Sequence, residues 1–288
     1  MLTRPWSDAL RRVASATILL MALAAICFAL FALVPGDSLT DAAIDPGVSP
    51  DAVAAMRQRL AADWTHSRID GRPVAEAILP RAARTLSLSL ASLLSAWLLA
   101  VPYACRRTLR RSALDTAAGG AAVGLLVAAP DLLLALGGLW LAVESEWFRT
   151  SGDFLLGWIV LTLVLLPALV RHAQSALAEA ALQPFVAAAR MAGIPDDRLA
   201  ALWLLPASSG PLIALLGLGF ATTLSASLIV ETVLGWPGLG PLLLEAILAR
   251  DYPVILGAVL LSGAFAIGGN LAADLLQLAV DPRRRSAA

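Results

Sequence analysis

Uncharged runs of membrane-spanning length recur along this chain. Residues 13–34, 86–105, 154–170 and 211–230 carry no charge, and 117–143 and 254–280 carry one carboxylate each, Asp131 and Asp274. About 20 residues of helix cross a hydrocarbon core roughly 30 Å thick. Backbone N–H and C=O groups find no water there, so a span must satisfy them within itself, as a helix does. Six runs therefore predict six transmembrane helices in an all-α membrane protein. A composition that is 59% hydrophobic, with mean hydropathy +0.80, argues the same way. The first run follows Arg4, Arg11 and Arg12. It is too long for a signal peptide and lacks a small-residue cleavage site, so it reads as a retained span.

Charge sets the orientation. The chain has 21 basic residues, all Arg. Thirteen fall on one side of the predicted spans, clustered at 11–12, 106–111 and 283–285. Eight fall on the other, together with thirteen acids. The Arg-rich side is cytoplasmic by the positive-inside rule, which puts both termini inside. The formal net charge of +0 suggests no nucleic-acid surface. Without Lys the chain has no phosphate-binding P-loop, so ATP, with its Mg, belongs to a partner and no cofactor belongs here. Cys27 and Cys105 would lie on the order of 20 Å apart in antiparallel spans, beyond the reach of about 7 Å that a disulfide allows. His66 and His172 are not in ligand spacing, so no metal site is expected. No catalytic residue is expected either.

Between the fourth and fifth spans lies a polar island, 179–206. Pro184 is suited to open a helix and Gly193 to close it in the left-handed conformation. Pro195 opens a second helix, with Asp196 and Asp197 in its first turn. Phe185, Ala188, Ala189 and Ala192 fall at i, i+3, i+4 and i+7, a narrow face with one aromatic knob. This pattern fits an ordinary loop with two short helices, or a helix that docks on a partner protein.

Elsewhere, helices are expected near 50–62 and from Pro73, with a turn at Asp70-Gly71. Outer loops are expected at 144–153 and 231–253, the latter with a short helix at 241–249. Pro130 and Asp131 fall near the middle of the third span. A carboxylate there costs about 2.5–3.5 kcal/mol to insert. It is either internally satisfied or part of a pathway for a cationic or amine-bearing solute, and it is expected to face the subunit interior. Asn270 and Asp274 share one face at i, i+4 and read as helix–helix glue rather than substrate contacts. Gly217, Gly219, Gly263, Gly268 and Gly269 suit close helix packing.

Several of these texts resemble one family. Glu179-Ala180-Ala181, Gly193 fourteen positions after the Glu, and Leu205-Pro206 are similar to the EAA loop of ABC-importer permeases. Gln183-Pro184-Phe185-Val186, Ala189-Arg190 and Gly193 resemble the dipeptide, oligopeptide and nickel class of that family. The stretch 231–240, with Glu231, Trp236, Pro237 and Gly238, resembles a family signature after the fifth span. The Pro35-Gly36-Asp37 turn, Asp251-Tyr252-Pro253 and Asp281-Pro282-Arg283 continue the match. Leu234 replaces a usual Phe, and Met191-Ala192 a usual Ala-Lys. The segment between the two outer helices is shorter than in the family.

The resemblance implies a type I ABC-importer permease fold in the bacterial inner membrane. Its parts are an N-terminus and first span (1–34), a periplasmic segment (35–85) and a five-span core (86–288) holding the loop 171–207. It implies that Glu179, Ala180, Ala181, Phe185, Ala188, Ala189, Arg190 and Gly193 dock an ATPase. Asp131, Glu231, Trp236, Pro237 and Gly238 would serve the pathway or periplasmic side. Implied partners are a second, different permease subunit, two ATP-binding subunits, a periplasmic solute-binding protein and membrane lipid. The substrate would be a peptide or a small chelated or cationic solute. A proton-coupled secondary transporter using Asp131, and a membrane assembly protein, are the alternatives; neither needs a Gly-capped docking helix.

Overall fold

The computed structural model describes residues 4–33, 64–109, 120–121, 124–125, 128–145 and 152–280. The expected helix at 50–62, the turn at 35–37, the texts after residue 280 and the first part of the third span lie outside them. The described residues form helices α1 (Arg4–Leu33), α2 (Val74–Leu109), α3 (Asp131–Ser145), α4 (Phe154–Ala181), α5 (Pro184–Met191), α6 (Asp196–Leu199), α7 (Leu205–Leu234), α8 (Leu239–Leu248) and α9 (Tyr252–Val280). Among the described residues five helical stretches are long and apolar enough to cross a membrane, α8 is a shorter apolar helix, and α3 has 15 residues. This is the all-α membrane architecture that the apolar runs predict.

The helices extend well past the uncharged runs. The predicted short helix at Pro73 and the second span are one helix of 36 residues, about 54 Å long at 1.5 Å per residue. Its early turns present Val74, Ile78 and Ala82 to Leu242 and Ala246 of α8 and to Val254 and Ala258 of α9. At that length the helix exceeds a hydrocarbon core roughly 30 Å thick. At the other end α4 runs on through Arg171 and His172 to Ala181. Pro195 opens not a short helix but a path that continues into the fifth span, Asp196–Leu234, 39 residues. A π-helical turn, Ala200–Leu204, joins α6 to α7. Pro206 lacks an N–H and its ring crowds the carbonyl four residues back. The wider turn, in which the Leu205 N–H reaches Ala200 O, lets the helix pass it unbroken.

The third span differs from a single continuous helix. The Ala129 N–H still bonds Leu125 O, and then the helix breaks. The Pro130 carbonyl accepts from Leu133 and Leu134 as α3 begins. Asp131 thus sits in the first turn of a helix, where the dipole favours a carboxylate. It is exposed on this chain rather than turned into its interior, contrary to expectation.

The core is built by α2 against α4 and by α7 against α4 and α9, with α1 outside on α9. Leu88 and Leu93 of α2, Val160 and Leu161 of α4, and Phe220 and Leu224 of α7 form one cluster where these three helices meet. Small polar side chains are buried among them. The Trp158 indole donates to Ser95 Oγ at 3.0 Å, and Gln277 of α9 donates to Gly210 O of α7 at 2.8 Å. In lipid there is no hydrophobic drive between helices, so close approach and such bonds hold them. Asn270 lies across Gly217, and Phe220 lies against Gly269. Asp274 pairs with Arg12 of α1 at 2.6 Å. Gly268, by contrast, has no neighbour within 4 Å of where a Cβ would stand.

This contrast gives a paired prediction. A Cβ at Gly217 would stand 2.8 Å from Ala273 Cβ and 3.2 Å from the Asn270 backbone. Gly217→Ala should therefore destabilise α7 on α9 by about 1–3 kcal/mol, while Gly268→Ala should be near neutral. Unfolding of the purified chain in mixed micelles by SDS titration measures both; equal midpoints would contradict the packing described.

Candidate functional site

The island is a short helix laid across the Arg-rich end of the bundle. α4 ends at Ala181, so Glu179, Ala180 and Ala181 belong to its last turn rather than to a loop. The chain turns through Leu182 and Gln183, and Pro184 takes the first position of α5. Gly193 follows with φ +77°, the left-handed residue that ends the helix. No atom lies within 4 Å of its missing Cβ. Gly is required there by backbone conformation alone.

The faces of α5 sort the predicted docking residues. Val186 and Ala189 are buried against a cluster with Leu177, Ala180, Leu199, Leu204 and Leu109. Phe185 is half-buried, its ring 6.4 Å from that of Trp203. Arg190 donates from Nη2 to the Leu109 carbonyl at 2.8 Å, capping the end of α2. So Ala180, Ala189, Phe185 and Arg190 fasten the island to its own chain. Glu179, Ala188 and Gly193 remain exposed. Two residues not counted among the predicted docking residues join them, Leu182 at 82% and Met191 at 83% exposure. Exposed large apolar side chains flanking a water-facing helix were the available signal.

At the opposite end, outer by the charge expectation, the turn after α7 closes around one carboxylate. Glu231, in the last turn of α7, has 0% exposure. Its Oε2 accepts from the Gly240 N–H at 2.9 Å, and its main-chain carbonyl accepts from the Trp236 N–H at 2.9 Å. Thr85 of α2, which the sequence reading passed over, accepts from the Leu239 N–H at 2.8 Å. Gly235 takes φ +66°, turning the chain at the end of α7. Gly238 has no room for a side chain, because a Cβ would stand 2.4 Å from Glu231 Oε2 and 2.6 Å from Thr85 Oγ1. Trp236 packs on Phe154, ring centres 5.5 Å apart, and the Pro237 carbonyl accepts from Arg84. Glu231, Trp236, Pro237 and Gly238 are thus brought together with α2 and α4, over 20 Å of helix away from α5 at 1.5 Å per residue.

A second clamp holds the outer segment. Ser67 and the Arg68 N–H both donate to Asp251, which is buried between α8 and α9. Arg68 lies over the Trp64 and Tyr252 rings, at 5.3 and 5.5 Å. The predicted turn is present, with Gly71 at φ +68° and the Ser67 N–H on Arg72 O. The Ile69 and Asp70 N–H groups donate to Ser67 Oγ, a side-chain turn just before the predicted Asp70-Gly71 signal, which did not name Ser67. Asp131 is joined to neither cluster. No group of His, Cys, Asp or Glu among the described residues could hold a metal ion.

The chain is similar to known proteins over most of its length. Residues 87–286 match the family described as binding-protein-dependent transport system inner membrane component. A Brucella abortus (strain 2308) protein named a peptide transport system permease is 30% identical over 314 residues, 96% of this chain and 98% of its own length. The dipeptide transport system permease protein DppB of Escherichia coli (strain K12) is 26% identical over 334 residues, again 96% and 98%.

The outer turn predicts unequal glycines. Gly238→Ala must displace Glu231 and Thr85 and should cost about 1–3 kcal/mol by overpacking. Gly193→Ala meets open space and should cost only the backbone term, roughly 1–2 kcal/mol, confined to the end of α5. Hydrogen exchange read by mass spectrometry separates them: faster exchange through 231–240 and the start of α8 for the first, near 184–195 alone for the second.

Proposed function

The chain belongs to the binding-protein-dependent transport system inner membrane components, and from that premise we propose that it is the peptide-handling permease subunit of an ATP-driven importer, docked to an ATPase through α5. As an inner-membrane permease it would form half of a translocation pathway, facing a second, different permease subunit. Two ATP-binding subunits would carry ATP and Mg, and a periplasmic solute-binding protein would deliver the substrate. Peptide as the substrate class rests on what the relatives are named for.

The observation that carries the docking role is the two-sided character of α5. Its inner face is packed and hydrogen-bonded to the ends of α2 and α4 and to the start of the fifth-span helix. Its outer side offers Ala188 and Met191 beside Leu182 and Glu179 to the water. An apolar patch with one carboxylate suits an anchor in a partner's groove and a pairing with a basic group at its edge. Closure of two ATPases would move α5. Because α5 packs on Leu199 and Leu204, that movement would pass into one helical path reaching the outer turn. Asp131, exposed where the third span breaks, would face the pathway between the two permease subunits.

The test uses the complete transporter. Met191→Asp and Ala188→Glu should leave the membrane level of this subunit unchanged, because neither side chain is packed in its own chain. Each should weaken ATPase retention by about tenfold or more, as loss of an interface anchor does. Substrate-stimulated ATP hydrolysis and uptake should fall together. Phe185→Asp and Gly193→Leu should act similarly but also loosen the island itself. Retention and coupled transport in the first two variants would overturn the docking role.

Asp131 carries its own prediction. Asp131→Asn should assemble normally and alter uptake or its pH profile. If both are unchanged, it has no place in the pathway.

A further inference from the structure

A second feature of the Arg-rich end lies between α5 and the ends of α2 and α4, and it shares Leu182 with the exposed patch. A cleft of about 490 Å³ opens between the last turn of α2, the end of α4 and α5. Arg107, Thr108, Gln174 and Arg190 form its polar side, and Ala181 and Leu182 its apolar side. Among the described residues no carboxylate lines it. Gln174 Nε2 is buried and donates to no group of the chain among the described residues. A buried amide N–H without an acceptor is uncommon and points to a ligand that supplies one. Arg190 gives one donor to the Leu109 carbonyl, which offsets the negative end of α2. A guanidinium carries five N–H donors in a fixed fork, a geometry that matches phosphate.

The position of the cleft identifies the source of the phosphate. Arg107 follows the uncharged run of α2 by two residues, so the cleft stands at the level of the headgroups. Basic pockets between transmembrane helices at this level bind anionic headgroups. We propose that this cleft binds the phosphate headgroup of an anionic phospholipid. A bound headgroup would bridge α2, α4 and α5 and hold the island in register with the membrane surface. The proposal does not rest on ATPase docking, since lipid binding is read without transport.

The experiment measures lipid retention by the assembled transporter, by native mass spectrometry after exchange into nanodiscs. Phosphatidylglycerol is offered against phosphatidylcholine. Phosphatidylglycerol should be retained in preference, Arg107→Gln should lower its retention about fivefold, and Gln174→Leu should lower it as well. Arg171→Gln, at the same end but outside the cleft, should retain lipid as wild type does. Unfolding midpoints in phosphatidylcholine alone check that the variants are folded. An equal loss in Arg171→Gln would overturn the proposal in favour of a diffuse surface charge. Displacement of phosphatidylglycerol by inorganic phosphate would replace the lipid with free phosphate. Retention that disappears only when the ATPase subunits are bound would assign the cleft to an acidic group of that partner. Wild-type retention in Arg107→Gln and Gln174→Leu would overturn it outright.

Discussion

One unbroken helical path, Asp196 to Leu234, joins the two ends of this protein. Its continuity depends on a small local adjustment. Pro206 would interrupt an α-helix, and a π turn at Ala200–Leu204 carries the backbone past it. At its start the path contributes Leu199 and Leu204 to the cluster that seats α5. At its end it supplies Glu231, around which the outer turn is folded. A helix broken at Pro206 would leave only α2 and α4 to join the island to the outer turn.

That path is held sideways by small residues and by buried polar bonds more than by bulk. Gly217 admits Asn270, Gly269 admits the Phe220 ring, and Gln277 bonds the Gly210 carbonyl. These contacts lie along α7 and α9. In a bilayer, lipid tails compete equally well for apolar surface, so specificity comes from how closely backbones approach and from polar groups that find each other. The buried Thr and Ser hydroxyls serve the same end within their own helices. Thr223 donates to Gly219 O and Ser208 to Leu204 O, so no hydroxyl of that pair faces lipid unbonded.

Much of this was legible in the residues. Uncharged runs marked the spans, and Pro184 and Gly193 marked α5 at both ends, because a missing N–H and a missing Cβ have few other uses there. What was not legible depends on tertiary packing. Arg171 and His172 looked like the end of the fourth span, yet the helix continues, because Ala173, Leu177 and Ala180 keep an apolar face toward α2. The i, i+3, i+4 pattern of α5 named a face but not its direction. Ala189 and Phe185 turn inward with Val186, and the water-facing side is Ala188 with Met191 and Leu182. Pro130 was read within a continuous span, where it instead ends one helical segment and lets Asp131 begin the next.

The outer turn shows why a signature of glycines needs a distant partner to be understood. Gly238 is small because Glu231 and Thr85 occupy the space of its side chain, and Thr85 comes from a helix more than 140 positions away in sequence. Nothing within 231–240 identifies that partner. The same turn receives Gly152, whose N–H bonds Leu234 O, and Arg84, whose guanidinium reaches Pro237 O. Contacts from α2, the start of α4 and α7 therefore converge on ten residues at the outer end. At the other end, Arg190 and the buried face of α5 gather the ends of α2 and α4 and the start of the fifth-span path. The same three helices are thus tied twice, once at each end, with a rigid packed length between. A displacement applied at the island cannot be absorbed there without breaking the Arg190 bond or the packing of Ala189.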